Sequence, residues 1–118
     1  MRYKVMQFVV EGKVIVPHVL AARSMPARML GLLGRKGLPQ GQAMLLDPCS
    51  SIHTVGMRFS LDVVFLDRSG KIVRIAQGVR PNRFLLGGRG AHHAIEMEAG
   101  SFDLSVLAAG KLTQLIDD

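Results

Sequence analysis

The stretch Asp62-Val63-Val64-Phe65-Leu66-Asp67 constrains the fold more than any other in the chain. It is a continuous β-branched and aromatic run with no polar side left for water, so it reads as a strand buried on both faces. Arg68-Ser69-Gly70 follows as a turn, and Lys71-Ile72-Val73-Arg74-Ile75 then alternates polar with apolar residues, as a strand with one wet face does. The first strand of this hairpin is expected to be central and the second to lie nearer an edge. A second hairpin is legible in Tyr3 to Val10 and Val14 to Leu20, two valine-rich runs joined by Glu11-Gly12-Lys13, where Gly12 can adopt the positive φ of a tight turn. Further strands are expected from about His92 to Glu98 and from Lys111 to Ile116. After the Tyr3–Leu20 hairpin one short helix is expected: Ser24 can cap it, Pro26 suits its first turn, Met25, Met29, Leu32 and Leu33 share a face, and Gly34 ends it. The fold class is therefore α+β and strand-dominated: a small curved antiparallel sheet or partly closed β-barrel with one short helix packed on it.

At 118 residues, 48% hydrophobic and 20% charged, the chain has the composition of one globular domain, expected to span residues 1–118. Cys49 stands alone and cannot form an internal disulfide. Only six uncharged residues separate Lys4 from Glu11, too few for the core of a signal peptide, and no apolar run approaches the roughly 20 residues that span a bilayer. The expected location is the cytoplasm, without a membrane span.

The net charge of +6 is unevenly spread. From Gly12 to Leu46 there are five bases and no acid; from Arg68 to Ile95 there are Arg68, Lys71, Arg74, Arg80, Arg83 and Arg89, again with no acid. If both stretches fold onto one side they form a field that attracts anions; the alternative is a basic surface that serves solubility only.

The densest group of reactive side chains is Cys49-Ser50-Ser51-Ile52-His53-Thr54, between Asp47-Pro48 and Gly56-Met57-Arg58. From Leu30 to Gly100 the chain resembles the small prokaryotic proteins grouped as domain of unknown function 192. The resemblance rests on Gly31-Leu32-Leu33-Gly34-Arg35, on the run from Cys49 through His53 to Phe59, and on Leu61-Asp62-Val63-Val64-Phe65-Leu66-Asp67. It implies a compact β-rich domain and brings no assigned activity, catalytic residue or cofactor. Other branches of that family carry an aromatic-Met-Lys-Asn-Thr type of sequence where this chain has Ile52 to Met57, so chemistry that required Cys49 or His53 would not describe them.

On their own physics, a Cys49 thiolate with His53 as base would form a nucleophilic pair. Residues four apart on a strand are separated by roughly 13 Å, at about 3.3 Å per residue, so the pair meets only across a tight turn. The favoured reading is a buried, inert cysteine, and no catalytic residue is assigned. A metal would draw on Cys49, His53, His92, His93 and His18, but adjacent residues of a strand face opposite ways, which leaves three ligands at best and no paired spacing; no metal and no cofactor are expected. Asp62 opens an apolar strand and needs a partner, and Arg58 is the nearest base in sequence. The segment holding Arg80, Arg83 and Arg89 with Pro81, Gly87, Gly88 and Gly90 reads as a loop whose arginines, together with Arg58 and with Arg35 and Lys36 at the helix end, suit phosphate or carboxylate.

Three functions remain open at this level. The first is a non-enzymatic binding module whose basic cleft takes an anionic small molecule, a polyanion or an acidic protein surface. The second is an enzyme built on Cys49, His53, Arg58 and Asp62. The third is a structural or assembly protein that pairs through a sheet edge. One tyrosine, five phenylalanines and no tryptophan leave few rings for stacking on bases, which favours generic anion binding over specific nucleic-acid recognition.

Overall fold

Glu11 and Gly12 both take positive φ (52° and 76°), the backbone twist that a two-residue connection needs to fold one strand back on another. They join β1 (Lys4–Val10) to β2 (Lys13–Ala22), an antiparallel pair with a bulge between Met6 and Val9. The computed structural model describes residues 4–22 and 42–117. Its other strands are β3 (Gln42–Leu46), β4 (Ser51–His53), β5 (Leu61–Leu66), β6 (Ile72–Val79), β7 (Phe84–Leu86), β8 (His93–Glu98) and β9 (Thr113–Asp117). Seven of them form one curled sheet in the order β6-β5-β8-β3-β2-β1-β9, and β4 and β7 pair separately. Among the described residues there is no helix; the helix expected from Ser24 to Gly34, and with it Arg35 and Lys36, lies outside them.

The antiparallel expectation needs one correction. β2 and β3 run parallel, with His18 opposite Gln42 and Ala22 opposite Leu46. Every other pairing in the sheet is antiparallel. β5 lies between β6 and β8 with all six residues buried, while β6 is an edge strand with alternating exposure, as their patterns require.

The sheet has two apolar faces. Phe8, Val16, Val19, Leu45, Val64, Leu66, Ile95 and Met97 fill the concave side, where Leu104 and Leu107 from the segment before β9 join them. Met44, Leu46, Leu61, Val63, Phe65 and Ala94 face the convex side, where Ile52 of β4 and Leu85 of β7 cover them. The two-stranded β4-β7 layer thus removes from water a second row of side chains, each worth about 1.5–3 kcal/mol when fully buried. Gly87 allows that close approach: a Cβ there would stand 2.5 Å from Phe65 Cδ1 and 2.6 Å from Ala91 Cβ. At one corner the sheet's two ends touch. Lys71 bridges Leu112, Thr113 N–H and its hydroxyl both donate to the Gly70 carbonyl (2.9 and 2.7 Å), and Ile72 N–H donates to the Lys111 carbonyl (2.9 Å). The result is a half-barrel pinned shut at one corner.

Candidate functional site

The residues around Cys49 occupy different environments. Cys49 is half-buried against the convex core, and its thiol donates to the Ser51 carbonyl at 3.0 Å. Along β4, Ile52 turns inward, so His53 turns out to solvent, where its ring lies 6.1 Å from that of Phe84. Asp62 is buried with 2% exposure, on the alternate of β5 that faces the concave side. Its two carboxylate oxygens accept from Gly78 N–H and Gly100 N–H, each at 2.9 Å, so backbone amides hold it rather than Arg58, which is exposed. Asp62 therefore ties the far end of β6 to the turn after β8.

Thr54, which the sequence places at the end of the reactive run without giving it a role, organises the basic loops. Its hydroxyl donates to the Arg80 carbonyl (2.6 Å) and accepts from Arg83 N–H (2.8 Å). Its own N–H donates to the Arg83 carbonyl (2.8 Å), and its carbonyl accepts from Asn82 and Met57 (3.0 and 3.1 Å). This buried threonine fastens the 80–83 loop to the 54–57 turn that leads into Arg58, bringing Arg58, Arg80 and Arg83 onto neighbouring exposed loops. None of the three has a carboxylate partner within the described residues. Phe84, 82% exposed, continues the same surface. Arg89 is exposed beyond the other end of β7, in the turn that leads back to His92. The segment from 80 to 89, expected as loop throughout, contains the short strand β7.

A second group forms at the mouth of the half-barrel. The β3-β8 ladder pairs Met44 with Glu96, Leu45 with Ile95 and Leu46 with Ala94; one step further it sets Asp47 opposite His93. Asp47 Oδ1 lies 2.9 Å from His93 Nδ1. His92, just before β8, is clamped by its backbone: its N–H donates to the Leu66 carbonyl (2.7 Å) and its carbonyl accepts from Cys49 N–H (2.6 Å). The two imidazole rings meet edge to face at 4.7 Å. One ligand atom from each of Asp47, His92 and His93 lies within 4.8 Å of the others, so the two histidines join Asp47 rather than Cys49 and His53. They do so because His92 precedes the strand and escapes its alternation.

Two clefts open beside this group. One, of about 450 Å³, is lined by His93, Leu66 and the start of β9; the other, of about 460 Å³, is lined by His92, Ala91 and Gly90, and Arg68 and Ser69 border both. Asp67 shapes the turn that carries them, accepting from the Ser69 hydroxyl (2.7 Å) and from the Ser69 and Lys71 amides (2.9 Å each). Those bonds, the Ser69 hydroxyl first, hold its carboxyl below the usual range. Arg68 belongs to the acid-free stretch and was legible as a charge, though not as the arginine of these clefts.

One further acid stands apart. Glu96, on the convex side of β8 between Met44 and Val63, is buried with 6% exposure and has no hydrogen-bond or ion-pair partner among the described residues. Loss of solvent pushes its pKa up to about 7.

Two solved structures share the fold. A crystal structure from Sinorhizobium meliloti 1021, described as a "putative transcription regulator", superposes with a TM-score of 0.80 at 19% identity, covering 98% of this chain and 96% of that one. A protein of unknown function from Novosphingobium aromaticivorans DSM 12444 gives 0.76 at 18% identity, covering 93% and 84%. At such identities the likeness shows the fold alone. No curated protein matches the chain significantly. The model of domain of unknown function 192, described as an uncharacterized ACR, matches residues 7–115, nearly the whole chain, and the chain belongs to that family.

Proposed function

We propose that this chain is a single-domain, cytoplasmic, non-enzymatic binding module that holds anionic ligands on the arginine surface fastened by Thr54. One observation carries the reading. Two loops about 26–29 residues apart in sequence are joined through one buried hydroxyl, and three exposed arginines with no carboxylate partner among the described residues lie on those loops. Such a device fixes the loop backbones and leaves the guanidinium groups at the surface, where Arg83 Nη1 makes only a long contact with the neighbouring Asn82 carbonyl (3.4 Å) that a phosphate or carboxylate could displace. The half-buried Cys49 and the outward-facing His53 support a surface that binds without covalent chemistry. The name of the Sinorhizobium neighbour makes nucleic acid a polyanion to include, as one example of the class.

Labelled single-stranded RNA and heparin titrated at several salt concentrations test this. Binding is expected to be weak and to fall steeply with salt, and the log-log slope should drop by about one for each phosphate-contacting arginine removed. Arg80→Ala with Arg83→Ala should therefore flatten the slope by about two. Unchanged binding in that variant, or none at low salt, overturns the proposal.

A further inference from the structure

We propose that the mouth of the half-barrel is a divalent transition-metal site, suited to zinc, in which Asp47 supplies one carboxylate oxygen and His92 and His93 one imidazole nitrogen each. The inference is independent of the arginine surface.

The donor set is the first reason. Two imidazoles and one carboxylate are borderline ligands that match zinc, whereas calcium and magnesium demand oxygen. Three protein ligands also leave the fourth tetrahedral position for water or a ligand, the pattern of open rather than purely structural zinc sites.

Geometry is the second reason. Donors bound at roughly 2.0–2.1 Å in a tetrahedron stand about 3.4 Å from one another. Asp47 Oδ1 and His93 Nδ1 are 2.9 Å apart, and all three donors lie within 4.8 Å. An ion would spread the first pair slightly and draw His92 inward, changes within reach of side-chain rotation. The backbone need not move. The β3-β8 ladder leads Asp47 to a place opposite His93, and the bonds to Leu66 and Cys49 fix His92.

Access is the third reason. His92 and His93 line separate clefts that share Arg68 and Ser69, so an ion between the histidines would be open to solvent on both sides. The positive charge of Arg68, which borders both clefts, would favour an anion, such as hydroxide, phosphate or a carboxylate, as the fourth ligand.

The alternative is an Asp47–His93 ion pair that binds nothing. Chelator-stripped protein titrated with zinc chloride against a chromophoric chelator distinguishes the two. One ion per chain is expected, with affinity falling as pH drops through the histidine range because protons compete for the nitrogens. Cobalt(II) in place of zinc should give the visible absorption of a four-coordinate ion. His92→Ala spares the Asp47–His93 contact, so it should stay folded while losing roughly a hundredfold or more in affinity, at least what the loss of a supporting contact costs a metal site. A His18→Ala, His53→Ala double variant should bind as the wild type does. Absence of stoichiometric binding, or affinity and cobalt spectrum unchanged by His92→Ala, overturns the proposal.

Discussion

Asp62 and Glu96 sit on adjacent strands of one sheet, both buried, yet the protein treats them in opposite ways. Asp62 faces the concave side, and each of its oxygens receives a backbone amide. Glu96 faces the convex side among methionine and valine, with no partner among the described residues, and burial alone pushes its pKa up to about 7. The difference teaches that depth does not decide what a buried carboxyl does; its donors do. Supplied with two amides, the carboxyl becomes a clasp between distant turns. Supplied with none among the described residues, it becomes a proton-binding group in an apolar layer.

The largest expected effect comes from removing the clasp. Asp62→Ala leaves two amides without their acceptor, and hydrogen bonds to a charged group are worth about 1.5–3 kcal/mol each, so a urea titration should show a loss of about 3–5 kcal/mol. Asp62→Asn, which keeps one acceptor, should lose roughly half as much. Equal stability of Asp62→Asn and wild type would end the clasp reading.

Glu96 should produce a smaller effect, visible only against pH. Its folded-state value is raised to about 7 from an ordinary 4.5, so between those values the folded chain holds a proton that the unfolded chain has released. Stability is therefore expected to fall as pH rises through that window, by on the order of 3 kcal/mol at most, and to level off above it. Glu96→Gln should remove the slope, leaving the variant more stable than wild type at pH 8 but not at pH 4. A wild-type stability curve that is flat between pH 4.5 and 7 would show that the side chain is solvated or paired after all.

The smallest effect sharpens the contrast from the other side. Since amides hold Asp62, Arg58→Ala should change stability by no more than about 0.5 kcal/mol, the ordinary range of a surface substitution. A loss of several kcal/mol would restore Arg58 as its partner.

These two acids also mark the limit of what is legible in the sequence. That Asp62 is buried and needs a partner follows from the apolar run it opens, but its donors belong to Gly78 and Gly100, 16 and 38 residues away, and nothing local announces them. β5, β6, β1 and β2 were legible because period-2 alternation and valine enrichment act within one strand. β3 was not: Gln-Ala-Met-Leu-Leu has no β-branched residue, and it is a strand because both of its faces meet apolar layers. β4 and β7 are three residues each, too short for a period to show. His92 and His93 stood out as metal-ligand types, whereas Asp47 joins them only through the register of β3 on β8, a relation between segments nearly fifty residues apart. The arginines were legible as charge; the hydroxyl that fastens their loops was not.

The seam between β1 and β9 carries a consequence for how the chain reaches this state. Met6 pairs with Asp117 and Val10 with Thr113, so the first strand described finds its outer neighbour in the last. Bringing such distant segments together costs little more free energy than a loop half as long, since closure entropy grows only logarithmically with length, but it slows the search, because the chain gains nothing until the ends meet. The β5-β6 hairpin can zip from its own turn; the β1-β9 ladder has no local nucleus. In a pulse-labelling experiment its amides are expected to gain protection after those of β5 and β6, and until then the outer edge of β1 would present unpaired hydrogen-bonding groups to any other chain nearby.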